Sequence, residues 1–261
     1  MELKLGDVQT TALIPLAIKA NETQRKNPRI KDEKAVEIIR ELAIDTAPYD
    51  KFFSHEGVVA RTIMFDDTLK KLLKKYPDAV VITLGCGFDN RFSRVDNGML
   101  RWYDMDLPDS IQARAKAFPE QDRVTMIAGD ALKTDWTSQI PKDKMVIVIA
   151  EGLLMYFTKE ETQTILRNLT DTFPNGYLLA EMMSKFAAGD KGKHHDTVKS
   201  TNATFKWGTD SGDEFVALNP KLKLVEENSF HKVMQTFGLR CKLFAKLLPK
   251  VNNRLAVFQW E

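Results

Sequence analysis

Only two cysteines occur in the 261 residues, Cys86 and Cys241, far apart and each in apolar surroundings. The chain therefore reads as a reduced, cytoplasmic protein that folds without disulfides. Charge of one sign is lacking as well: 38 Lys+Arg stand against 36 Asp+Glu, a net charge of +2, which offers no electrostatic reason for a nucleic-acid or anionic-membrane partner. Long hydrophobic runs are absent. The most apolar segment, residues 145–157, is broken by Glu151 and falls short of the ~20 residues that cross a bilayer. The apolar run over 11–18 follows Glu2 and Asp7 in place of a basic cluster, which argues against a cleaved signal peptide. Histidines number four, no internal repeat or low-complexity tract occurs, and nothing points to a particular oligomeric state. What remains is ordinary for a globular protein, 43% hydrophobic and 28% charged residues, in a chain long enough for one large α/β domain or for a core domain carrying an insertion.

The first third reads as helical. Residues 11–21 and 32–44 carry helical spacing; in the second, Asp32 can cap a run in which Ala35, Val36, Ile38, Ile39 and Leu42 recur on one face, and Pro28 separates the two. Residues 49–61 are mixed, and 66–76 are helical again, with Leu69, Leu72 and Leu73 opposite a solvated lysine face. From Ala79 the pattern becomes strand, helix, strand. Candidate strands are 79–84, 101–105, 124–128, 145–150 and 177–181, separated by helical stretches such as 110–118 and 159–173. This alternation predicts a parallel sheet with helices on both faces and right-handed crossovers. Residues 239–247 and 255–260 read as two more strands, expected to form a hairpin around Asn252 and Asn253 that closes one edge. The stretch 184–227, rich in Lys, Gly, Asp, Thr and His, reads as an inserted lid lying over the sheet. The expected layout is a helical cap over 1–78 and an α/β core over 79–261 that carries this insertion.

The chain is organised around residues 79–91, AVVITLGCGFDNR, a buried strand that ends in Gly85-Cys86-Gly87. Such a turn at the carboxyl edge of a parallel sheet lets a ligand lie against bare backbone. A dinucleotide fingerprint would need a third glycine where Asn90 stands, which weighs against a nicotinamide oxidoreductase. An acid that grips a ribose is expected about 20 residues beyond the first glycine. Asp104 and Asp106 both lie there, and Asp106, nearer the strand end, is the better placed; its plainer role is to cap the helix opening at Pro108. The next strands end in Gly129-Asp130 and Glu151-Gly152, so acids and glycines converge on one sheet edge. Asp130 suits an adenine amine, or simply a turn. Cys86 reads as a small residue at a crowded turn, since no histidine lies near it in sequence.

The segments VVITLGCGFDNRF, RWYDMDLP and VIAEGLLMYF, with TALIPLAIKA near the start and Arg61 within Ala60-Arg61-Thr62, resemble the leucine carboxyl methyltransferase family. Within it they are most similar to the bacterial O-methyltransferases of polyketide synthesis. The resemblance covers roughly residues 11–181 and the patches His-Asp-Thr-Val and Phe-Lys-Trp-Gly. It implies S-adenosylmethionine as cofactor and a Rossmann-like, seven-stranded α/β sheet, six strands parallel and the last antiparallel. Residue by residue it implies Gly85, with Cys86 and Gly87, against the cofactor; Asp106, with Leu107, at the ribose; Asp130 and Ala131 beside the adenine; Glu151 near the methionine moiety. Arg61 would pair with the cofactor carboxylate, a task that suits a planar guanidinium fork. Lys19 is a candidate for the family's amino-terminal basic contact.

Methyl transfer from a sulfonium is an in-line displacement, so the protein aligns donor and acceptor and excludes water. A carboxylate, with a pKa near ~4, is already ionised at neutral pH, whereas a phenol near ~10 benefits from a base. Among His55, His194, His195 and His231, the nearest candidate base is His195, within His194-His195-Asp196 of the insertion; solvated loop histidines are the plain alternative, and no third ligand at suitable spacing suggests a metal. Tyr156 is placed to orient an acceptor oxygen, or merely to pack. The expectation is O-methylation of a small organic acid, preferred over a phenol. Carboxyl methylation of a protein terminus, a nicotinamide oxidoreductase and a non-catalytic cofactor-binding module are the alternatives.

Overall fold

Val80–Leu84 is a run of five apolar or β-branched residues, all buried, and it forms β1 in the middle of a mixed sheet. The structure is a computed structural model, and it describes residues 11–188, 204–247 and 252–261. The remaining strands are β2 (Arg101–Asp106), β3 (Val124–Ala128), β4 (Val146–Ala150), β5 (Gly176–Met182), β6 (Lys223–Ser229) and β7 (Arg254–Trp260). They lie in the order β3-β2-β1-β4-β5-β7-β6, with β1 to β5 parallel and β7 antiparallel to both of its neighbours. This is the Rossmann-like seven-stranded α/β sheet that the sequence led us to expect. The central strands read as continuous apolar runs because both of their faces are covered. Val80, Ile82 and Leu84 face Ile165, Leu169 and Phe173 on one side, and Val81 faces Ala60, Phe65 and Leu69 on the other.

The helices in chain order are α1 (Leu13–Thr23), α2 (Glu33–Glu41), α3 (Phe52–Lys75), α4 (Arg91–Val95), α5 (Pro108–Ala117), α6 (Lys159–Thr172), α7 (Asp213–Leu218), α8 (His231–Met234) and α9 (Leu239–Leu247). Asp32 caps α2 as its sequence suggests, its side chain accepting from the Ala35 amide at 3.1 Å. Helices α1 and α2 pack through Leu16, Ala20, Ala35 and Ile38 against Ala113 and Phe118 at α5.

Three readings need correction. The stretch 49–61 is not mixed beyond its start: α3 begins at Phe52 and runs 24 residues through Arg61. Gly57 disguises it, since a glycine inside a helix costs roughly 0.5–1 kcal/mol relative to alanine. The strand expected at 239–247 is helix α9, so the terminal hairpin does not form. A short apolar run fits either structure by periodicity alone, and this one holds no β-branched residue. The partners of β7 are instead β5 and β6, and β6 begins inside the stretch read as an inserted lid. Its sequence, KLVEENS, is polar because it is an edge strand, with a bulge between Leu224 and Glu226.

Chain geometry positions the site. At 1.5 Å per residue α3 is about 36 Å long, against roughly 17 Å for the five residues of β1 that follow it. The carboxyl half of α3 packs on the sheet through Phe65, Leu69 and Leu73, and its amino half overhangs the carboxyl edge of the strands as a wall. Strand order reverses between β1 and β4, where open parallel sheets bind ligands.

Candidate active site

Above that edge lies a cavity of about 600 Å³, within the usual range for small-molecule sites. Its floor is the glycine turn after β1. Gly85 and Gly87 adopt φ of 64° and 48°, a region that suits glycine, and a Cβ on Gly85 would stand 2.8 Å from Leu153 Cδ1. A Cβ on Gly87 would lie 3.0 Å from the Cβ of Ala12, so the start of α1 roofs the turn. Cys86 is buried beneath it, and burial pushes its thiol well above the ordinary range, which leaves it neutral.

Asp106 ends β2 and accepts the Gly87 amide at 2.8 Å through Oδ2 and the Leu107 amide at 2.8 Å through Oδ1. Burial raises its pKa, and these amides partly offset the rise. Its neighbour Asp104 is committed elsewhere, to Arg114 at 2.6 Å and to the Trp102 indole at 2.8 Å, and does not line the cavity. Asp106, Leu107, Asp130 and Ala131 do line it, with Asp130 holding its own turn through the Leu132 amide at 2.9 Å.

Glu151, at the end of β4, meets two guanidinium groups, Arg91 through Oε2 and Arg61 through Oε1, the latter at 2.8 Å. Burial alone would raise its pKa, but Arg91 and Arg61 outweigh it and keep the carboxylate ionised. Arg61 also donates to Glu181 at 3.0 Å, and its buried Nε has no aligned hydrogen bond. Glu181, at the end of β5, further accepts the Gly152 amide and the Asn253 side chain, both at 2.7 Å. Arg91 pairs with Asp66 and Asp89 at 2.6 and 2.7 Å, and Asp89 takes Lys19 on its other oxygen. Against the effect of burial, Arg91, Lys19 and Arg94 hold Asp89 well below the carboxylate range.

All nine residues assigned to the cofactor from sequence, together with Lys19 and Tyr156, border this one cavity. Tyr156 sits in a short 3-10 turn after β4, its ring 5.4 Å from that of Phe205. Burial raises its pKa, so the phenol is a neutral donor and not a base. His195, with His194 and Asp196, lies outside the described residues. Among the described residues no histidine borders the cavity: His55 is enclosed by Asp50 at 2.6 Å and Glu22 at 2.8 Å, and His231 opens α8. Sequence reasoning missed Asp89, Arg91, Glu181 and Asn253. The first two are written in the motif FDNR, whereas Glu181 and Asn253 are joined only by the β5–β7 pairing.

The donor set fits a sulfonium nucleoside with an amino-acid tail. Bare glycine backbone would admit the tail, the strand-end acids would accept from hydroxyl and ammonium groups, and the Arg61 Nε, although 2.8 Å from Glu151, makes no aligned bond.

The family model described as leucine carboxyl methyltransferase matches residues 12–170. The chain is 28% identical over 227 residues to the tetracenomycin polyketide synthesis O-methyltransferase TcmP of Streptomyces glaucescens, covering 86% of this chain and 84% of that protein. It is 25% identical over 252 residues to the S-adenosyl-L-methionine-dependent methyltransferase dpfgK of Gibberella zeae, covering 86% and 83%. A crystal structure assigned as a methyltransferase from Thermobifida fusca shares the fold with a TM-score of 0.64 at 11% identity, over 96% of this chain and 94% of that one. Magnesium protoporphyrin IX methyltransferase from Synechocystis, solved with bound SAH, shares it with a TM-score of 0.51 at 12% identity, over 88% and 100%. These matches displace the nicotinamide reading. With its family match spanning more than half of its length, the chain belongs to the leucine carboxyl methyltransferase family and is an S-adenosylmethionine-dependent methyltransferase.

Proposed function

We propose that this enzyme methylates an oxygen of a small organic molecule, a carboxylate in preference to a phenol, in the cytoplasm. The observation that carries the reading concerns histidine and tyrosine as bases: among the described residues that border the cavity there is no histidine, and Tyr156 holds its proton more tightly than a free phenol does. An acceptor that arrives ionised needs no such group. The relative TcmP, an O-methyltransferase by its description, supports the choice of oxygen.

In this reading Arg61 takes the cofactor's carboxylate, the turn of Gly85, Cys86 and Gly87 carries its amino-acid tail, and Glu151 faces its ammonium. Asp106 and Leu107 hold the ribose, and Asp130 and Ala131 flank the adenine. When bound, the cofactor supplies an electrophilic methyl group on sulfur. The residues of the chain then orient and enclose. Tyr156 donates a hydrogen bond to the acceptor, and Met155, Met183 and Phe205 exclude water beside it; a less acidic acceptor would call on His195 as its base.

Incubation with methyl-labelled cofactor and a panel of aromatic and aliphatic acids and phenols tests the reading. Transfer to carboxylate oxygen is expected, at a rate nearly flat from about pH 6 to 9, because the acceptor is fully ionised above its pKa of ~4. A rate that climbs about tenfold per pH unit toward ~10 would assign a phenol instead. Absence of label on oxygen in either class would overturn the proposal.

A further inference from the structure

The cavity extends well beyond the cofactor residues, along the overhanging half of α3. Ser54, Gly57, Val58 and Arg61 stand at helical spacing on the face of α3 that borders it. Arg61 marks the sheet edge, since it reaches Glu151 and Glu181 at the ends of β4 and β5. Ser54 lies seven residues further out, about 10 Å up the helix. This end of the cavity is closed by Phe230, Met234 and Asn252, far along the sheet order from Asp106 and Asp130.

Two features here have no role in the fold. Gly57 lies inside a helix, where glycine is unfavourable, with no left-handed backbone to require it, and a Cβ placed on it would meet no atom within 4 Å. Neither close packing nor backbone geometry calls for the glycine, and what its missing side chain leaves is room beside bare helix backbone. One turn earlier, Ser54 is 8% exposed and its Oγ has no hydrogen-bond partner among the described residues. A buried hydroxyl without a partner is costly, and rotation about χ1 turns that of a cavity-lining serine towards the lumen.

We propose that Ser54 and Gly57 form a subsite for the far end of the acceptor. Gly57 leaves the width for a flat ring against the helix, and the Ser54 hydroxyl bonds an oxygen substituent on that ring, remote from the methylated group. The acceptor class is then an elongated, flat acid with a distal hydroxyl or carbonyl. This inference rests on the proposed small-molecule carboxylate acceptor and adds what recognises its other end.

The test uses the full chain saturated with S-adenosylhomocysteine and titrated by calorimetry with 2-naphthoate and with 6-hydroxy-2-naphthoate. The wild type is expected to bind the hydroxy acid about tenfold more tightly than its parent. Ser54→Ala should bring that ratio to about one. Gly57→Ala, which has space for its methyl group and a better helix former, should raise Tm yet weaken both acids several-fold. Affinity for S-adenosylhomocysteine should stay within about twofold in both variants. A wild-type ratio near one, a ratio that survives Ser54→Ala, undiminished binding to Gly57→Ala or no binding of either acid overturns the subsite. Binding in the expected pattern with no label transferred to the carboxylate leaves the subsite standing and overturns the carboxylate reading.

Discussion

At Arg61 a single guanidinium faces two carboxylates, the half-buried Glu151 and the buried Glu181. Its proposed service to the cofactor's carboxylate is therefore added to a structural one, and the two can be separated by substitution. Arg61→Lys keeps the charge and loses the planar fork; it is expected to weaken S-adenosylmethionine binding by about tenfold or more in calorimetry with little change in Tm. Arg61→Ala leaves Glu181 and one oxygen of Glu151 without their cation, and should in addition lower stability by about 3–5 kcal/mol in denaturant titration. Equal cofactor affinity in wild type and Arg61→Lys would remove Arg61 from the cofactor site. At this scale the sequence is legible where spacing along one strand decides: Asp106, and not Asp104, reaches the cavity because it ends β2. It is silent where partners come from distant strands. Arg61 reads in sequence as a surface charge, and only the ends of β4 and β5 turn it inward.

Among the elements, the β5–β7 pair carries the most demanding packing. Gly176 opens β5 opposite Trp260, and a Cβ there would stand 2.4 Å from the indole ring and 2.9 Å from the Val146 carbonyl oxygen. The Trp260 ring is pinned in turn by its N–H, which donates to the Phe173 carbonyl at 2.8 Å. Neither neighbour can yield cheaply, so Gly176→Ala is expected to cost about 1–3 kcal/mol, read as a lowered Tm, while Gly57→Ala raises it. The central strands β1 and β4 were legible because strands buried on both faces carry unbroken apolar runs, as Val80–Leu84 and Val146–Ala150 do. The edge strand β6 was not, since half of its residues face water, and α9 was not, since nine residues without a β-branched side chain carry no decisive period.

Across the whole molecule, the amino-terminal helices are tied to the sheet domain by charge as much as by apolar contact. Lys19 reaches Asp89, Arg94 reaches Asp32 at 2.9 Å, and behind them Glu22 gathers Arg29 at 2.7 Å and His55 at 2.8 Å. Burial opposes ionisation of Glu22, but the Arg29 guanidinium and amide together with His55 bring its pKa down to about 2. A carboxyl group depressed from 4.5 to about 2 contributes stability that is complete above pH 4.5 and is lost as pH falls towards 2, about 3 kcal/mol in all. Acid titration of unfolding should show that loss. Glu22→Gln should flatten it and lower stability at neutral pH by a similar amount; a variant that keeps the wild-type acid slope would refute the assignment.

Ala12 pressed over Gly87 has a practical consequence for watching the enzyme at work. Cys86 sits under that roof with a protonated thiol, and Cys241, the other cysteine, is buried too, its thiol pushed up to about 11 by burial and by Glu56. Towards alkylating reagents at neutral pH the folded protein should behave as though it had no cysteine at all. The rate at which Cys86 is modified then becomes a clock for the opening of the turn that buries it, slow in the wild type. A cysteine introduced at exposed Met99 would take a label alone, leaving that clock unread until the roof opens.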